Sequence, residues 1–202
     1  MIVLLRHAAV QNAKGRFIGT TDLPLSPAGT AQAEYLASAL RDCGLRAIYA
    51  SPLVRAMDTA GPLARACGLV IRPMPELSEI RMGEWEGRSQ ESVRNEQPEA
   101  FAARGCDFAE FRPPGGETFL ELADRAERGL KRVTHEPRPC AVVTHAGVLR
   151  VLLCRMLGLD LQQLFRFRPL PAHAILIRPE ADGFGLVAFN CPPEGVHALL
   201  GR

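Results

Sequence analysis

Three apolar runs in the 202-residue chain each lead into a side chain suited to phosphate chemistry. Arg6-His7 follows Ile2–Leu5, His145 follows the run Cys140–Val143, and Arg55 lies in the first turn of a helix expected after Ala47–Ala50 and Ser51-Pro52. In sheets built mainly of parallel strands, ligands bind beyond the carboxyl ends of the strands. Two arginines and two histidines converging on one such crevice would make a receptor for a dianion, because guanidinium forks match phosphate oxygens. Taken singly, each residue has an ordinary explanation as a surface or capping group. Their recurrence at three strand ends is what argues for a common site.

The elements that must position them are legible from periodicity. Ile2–Leu5, Ala47–Ala50, Leu69–Arg72, Cys140–Val143, Ala172–Ile177 and Gly185–Phe189 read as strands. Between them lie helical stripes. One runs from Ala28 to Cys43, opened by Ser26-Pro27 and closed by Gly44; one from Leu53 to Cys67 is closed by Gly68. A third, from Glu117, carries Phe119, Leu122, Ala126, Leu130 and Val133, and a fourth runs from about Ala146 to Leu157. Residues 8–26 read as a long loop. This alternation predicts an α/β three-layer sandwich with a mainly parallel central sheet. We expect a single domain over 1–202, with an inserted lid-like region at about 73–116, where proline, glycine and charge dominate.

Composition narrows the function classes. With 24 basic against 22 acidic side chains, no global field points to nucleic acid or an anionic membrane, so anion binding must be local. No apolar span reaches membrane length, and Met1 leads straight into Ile2–Leu5 without a charged leader, so the expected location is the cytoplasm. The six cysteines, at 43, 67, 106, 140, 154 and 191, lack the spacing of zinc sites or disulfide frameworks and read as reduced thiols. Nothing in the sequence decides the oligomeric state, and a homodimer stays open.

The motifs then resemble, in order, those of the histidine phosphatase superfamily, the phosphoglycerate mutase-like group. Leu5-Arg6-His7, the stretch from Gly15-Arg16-Phe17 to Asp22-Leu23-Pro24-Leu25, and Ser51-Pro52-Leu53 with Arg55-Ala56 carry the first part of the likeness. Leu77-Ser78-Glu79 leading to Gly83-Glu84-Trp85-Glu86-Gly87, Pro113–Thr118, and Val143-Thr144-His145-Ala146-Gly147-Val148 complete it. The chain looks most like small members such as α-ribazole phosphatase.

The resemblance implies a metal-independent phosphomonoesterase without cofactors, acting on small-molecule phosphate esters. His7 would attack phosphorus to form a phosphohistidine, Arg6, Arg55 and His145 would hold the phosphoryl oxygens, and Glu79 would protonate the leaving alkoxide. Asn12 aligns with a phosphate-pocket asparagine, across a loop one residue short. Ala8 stands where the family usually has glycine. Glu76 is an alternative acid, and Glu117 a further candidate for pocket contact. His135, His173 and His197 read as structural or surface residues and Trp85 as packing. Two other functions are compatible with these motifs: a cofactor-dependent phosphoglycerate mutase, disfavoured by the short chain, and a non-catalytic phospholigand-binding protein.

Overall fold

The period-two alternation of the first strand sets the layers. In β1 (Ile2–Arg6), Ile2 and Leu4 enter one apolar cluster and Val3 and Leu5 another. The computed structural model describes residues 1–200. After β1 come α1 (Pro27–Leu40), β2 (Ala47–Ala50), α2 (Val54–Cys67), β3 (Ile71–Pro73), α3 (Gln90–Glu96), α4 (Pro98–Cys106) and α5 (Phe119–Thr134). Then follow β4 (Cys140–Thr144), α6 (Ala146–Met156), β5 (Ala174–Glu180), β6 (Gly183–Cys191) and α7 (Pro193–Leu200).

The six strands form one sheet in the order β3-β2-β4-β1-β5-β6. The pairs β2–β3, β2–β4 and β1–β4 are parallel, while β5 runs antiparallel beside β1 and β6 antiparallel beside β5. Leu36 and Leu40 of α1, Leu63 of α2 and Val196 of α7 cover the face carrying Val3 and Leu5. Leu122 and Leu130 of α5, with Leu149 and Leu153 of α6, cover the opposite face with Ile2 and Leu4. The expected three-layer α/β sandwich with a mainly parallel sheet is therefore what the chain forms.

Helix ends follow local chemistry. The Ser26 hydroxyl accepts from Gly29 N at 3.0 Å with Pro27 at the first helical position, and Gly68 closes α2 in the left-handed conformation. Several boundaries differ from expectation, and three of them have a clear cause. Helix α2 opens at Val54 rather than Ser51, with the Asp22 carboxylate accepting from Val54 N at 2.9 Å in place of a local cap. Helix α5 starts at Phe119, because Thr118 and Glu121 form a capping box. Strand β3 begins at Ile71, since the stretch from Gly68 is still spent closing α2.

The segment 73–116 holds two short 3-10 turns plus α3 and α4. Its Met74, Leu77, Ile80, Trp85 and Val93 are buried in the same cluster as Ile2 and Leu4. Trp85 is packing, as expected: it is fully buried 5.0 Å from the Phe17 ring and donates to Gln97 Oε1. All six cysteines are free. Among the described residues no helix is long and apolar enough to cross a membrane.

Candidate active site

Strand register brings the two histidines together. Arg6 is paired with Thr144 across the parallel β1–β4 ladder, so the next residues, His7 and His145, emerge side by side with ring centroids 5.2 Å apart. Ala50 pairs with Val143 in the same way, which delivers Ser51 beside His145. Arg55 reaches the same place from the first turn of α2, whose start is fixed by Asp22.

The hydrogen bonds determine which nitrogen of each ring is available. His7 is 6% exposed, and its Nδ1 lies 2.7 Å from Ala8 O. A carbonyl can only accept, so Nδ1 carries the proton and Nε2 keeps the lone pair. Burial lowers the His7 pKa to about 3, with the Ala8 carbonyl opposing and Arg55 and Arg6 adding to the fall. The imidazole is thus neutral throughout the ordinary pH range. His145 is fully buried and its pKa is pushed well below the ordinary value by burial, then by Arg55 and His7. Its Nδ1 accepts from Arg55 Nε at 3.2 Å, which puts its proton on Nε2, 2.7 Å from Ser51 Oγ.

A cleft of about 240 Å³ opens over this cluster, lined by Arg6, His7, Arg16, Arg55, Glu79 and Arg150 among others. Arg6 gives one terminal nitrogen to Pro169 O, and its Nε is buried without a partner among the described residues. Arg55 spends its terminal nitrogens on Thr21 O at 2.8 Å and Gly19 O at 2.6 Å. The Glu79 carboxylate accepts from its neighbour Ile80 N and from Gly147 N in the first turn of α6. Gly147 is required there, because a Cβ would stand 2.2 Å from Glu79 Oε1.

The structure therefore brings His7, Arg6, Arg55 and Glu79 to one cleft, with His145 directly beneath rather than on its wall. It does not bring Asn12 there. Asn12 is exposed with φ 54° and lies outside the cleft lining, where Val10, Ala13 and Ile18 of its loop are found instead. The deletion used to align Asn12 is not matched by a turn that points it inward. Ala8 is no obstacle: its methyl packs with Ala33 and Ala172 in a small apolar cluster, while Ala8 N donates to Thr59 Oγ1.

Glu76 is paired with Arg132 of α5 and is not in the cleft. Glu117 is likewise elsewhere: Arg125 binds it through two nitrogens at 2.7 and 2.9 Å. Arg125 also donates to the carbonyls of Glu76, Ser78 and Glu79, so the pair braces the turn that presents Glu79. His173 donates to Pro171 O, and His135 and His197 lie at helix ends; none lines the cleft.

Sequence reasoning assigned no role to Arg16, Arg150 or Glu86. The signal for Glu86 was its place in the Gly83–Gly87 motif. Its carboxylate accepts from the backbone N–H of Gly19, Thr20 and Thr21, from both threonine hydroxyls, and from Met82 N. It thereby fixes the two carbonyls that receive Arg55. Burial raises its pKa, but the Thr21 hydroxyl and the Gly19, Thr21 and Thr20 amides outweigh this and hold it below the ordinary 4.5. A carboxylate whose folded pKa is depressed stabilises the fold above about pH 4.5, and that contribution is lost as pH falls through the folded value. Glu86→Gln should therefore cost about 1–3 kcal/mol at neutral pH, measured by urea unfolding, and the gap from wild type should narrow on acidification. A gap that stays constant with pH would show that the charge is not what matters.

Among the described residues, no group of three or more His, Cys, Asp or Glu is arranged to hold a metal ion. The model of the histidine phosphatase superfamily (branch 1) matches residues 2–192. The adenosylcobalamin/α-ribazole phosphatase of Escherichia coli K12 is 31% identical over 168 residues, 82% of this chain and 83% of its own. The metal-independent phosphoserine phosphatase of Arabidopsis thaliana is 35% identical over 161 residues, 77% and 68% of the two chains. The crystal structure of the α-ribazole phosphatase from Shigella flexneri superimposes with a TM-score of 0.86 at 29% identity, covering 94% of this chain and 95% of that one.

Proposed function

The chain belongs to the histidine phosphatase superfamily, branch 1, and from that premise we propose that it hydrolyses small-molecule phosphate monoesters through a phosphohistidine on His7, without a metal ion. The observation that carries this reading is the state of His7. It is a buried imidazole held neutral, with Nδ1 tied to Ala8 O and Nε2 left unprotonated, in a cleft lined by arginines.

In the first step Nε2 of His7 attacks phosphorus, the P–N bond forms as the P–O bond breaks, and Glu79 gives its proton to the departing alkoxide. In the second, the same carboxylate takes a proton from water, which displaces the histidine and releases inorganic phosphate. Arg6 and Arg55 stabilise the charge on the phosphoryl oxygens. His145 is a positioning residue in this scheme, holding Arg55 through Nδ1. The whole chain acts as one domain, with segment 73–116 supplying Glu79 and part of the cleft wall. Relatives named for α-ribazole phosphate and phosphoserine have a phosphate monoester in common, and that is the substrate class we assign.

Turnover of p-nitrophenyl phosphate should be unaffected by EDTA, since guanidinium groups neutralise the phosphate. Activity lost to the chelator and restored by one divalent ion would contradict this. Because His7 is neutral down to about pH 3, the acid limb of kcat/KM should follow the second ionisation of the substrate phosphate and move to lower pH for aryl than for alkyl esters. A limb that stays in place across substrates would belong to the enzyme instead. Arg55→Ala should lower kcat/KM by about a hundredfold, with KM raised and kcat reduced; a purely structural arginine would shift Tm and leave the kinetics alone.

A further inference from the structure

The cleft holds more positive charge than a phosphate monoester requires. Four guanidinium groups, from Arg6, Arg16, Arg55 and Arg150, line it together with a single carboxylate, that of Glu79. Both histidines are neutral, so they supply no further cation. With Glu79 holding the proton it gives to the leaving group, a bound phosphate dianion brings about two negative charges against four positive ones, and a surplus of positive charge remains.

Arg16 and Arg150 are held in place without being used up. Arg150, in the second turn of α6, donates its Nε to Phe167 O at 3.0 Å and lies over the Phe165 ring at 5.1 Å. Its two terminal nitrogens have no hydrogen-bond partner among the described residues. Arg16 is pinned by the backbone bridge to Ser89, and one terminal nitrogen reaches Gly87 O at 2.9 Å. Both keep donors free, and on Arg150 they sit on a side chain already held at two points, so that binding an anion there orders little that is not ordered already.

We infer that the cleft is built for a phosphate ester carrying a second anionic group, a carboxylate or another phosphate, which Arg150 and Arg16 receive while Arg6 and Arg55 hold the group attacked by His7. This deepens the proposed phosphatase reading and rests on it for the placement of the scissile phosphate. A substrate with one charged end would leave the terminal nitrogens of the half-buried Arg150 without an anionic partner. Burial already disfavours the charge on Arg150, and Glu79, the first group that opposes this, is shared with Arg6 and Arg55.

Calorimetry with unreactive phosphonates tests the second anion without requiring turnover. Propylphosphonate and 3-phosphonopropionate differ in a terminal methyl against a carboxylate, and ethane-1,2-diphosphonate replaces the carboxylate with a second phosphoryl group. Wild-type protein should bind at least one of the two doubly anionic compounds about tenfold or more tightly than propylphosphonate. Whichever binds better names the second group. In Arg150→Gln and Arg16→Gln that preference should fall to about threefold or less. Equal affinity of wild type for all three phosphonates, or a preference untouched by both substitutions, would overturn the inference. Hydrolysis of p-nitrophenyl phosphate by the same preparation tests the phosphatase reading separately, so the two failures are distinguishable.

Discussion

Replacing His7 by alanine should lower turnover of every phosphate ester by about 10⁴-fold or more while the protein stays folded. No other group in the cleft combines an unprotonated nitrogen with a fixed position, because both nitrogens of His145 are engaged by Arg55 and Ser51. The scaffold around residue 7 depends little on the imidazole: His7 N donates to Thr144 O at 2.8 Å, and that bond survives in alanine. One effect on stability is expected as well. A histidine whose folded pKa is about 3 against an ordinary 6.5 favours the unfolded chain as pH falls from 6.5 toward 3. The variant should therefore lose stability less steeply than wild type across that window. Steady-state kinetics and a series of thermal melts read both effects. Residual activity within tenfold of wild type would remove His7 from the chemistry.

Glu79→Gln should cripple alkyl phosphates by about 10²–10⁴-fold, because an alkoxide leaves poorly without a proton. The effect on phosphorylation of His7 should be much smaller with p-nitrophenyl phosphate, whose phenolate departs unaided. Gly147→Ala offers an independent route to the same phenotype. Its Cβ would fall 2.2 Å from Glu79 Oε1, and the carboxylate is the flexible partner, so the side chain moves while the helix stays. Pre-steady-state bursts with the two ester types separate the outcomes. A burst slowed equally for both would show that Glu79 is not the leaving-group acid.

Much of this arrangement could be read from residue order. The apolar runs of β1 and β4, the Ser26-Pro27 start and the Gly68 stop were local signals with local causes. The meeting of His7 and His145 needed only that two parallel strands share a register. What was missed depended on side chains reaching across the fold. Asp22 caps a helix 32 residues later in the chain, and Glu86 gathers three amides from a loop 65 to 67 residues before it. Arg150 looks like any polar residue on an amphipathic helix until Phe165 and Phe167 place it at the cleft. Asn12 failed for a different reason: an alignment across a deletion fixes residue type but not the direction of a turn. Helix α7 escaped notice because an eight-residue helix is too short to show a period.

The central claim is that phosphate passes through His7, and trapping the intermediate tests it most directly. Wild-type protein mixed with a phosphate ester labelled on phosphorus and quenched within milliseconds should carry label that is stable in base and released by acid, and His7→Ala should carry none. Label that survives acid, or that is found on a serine or aspartate, would contradict the account.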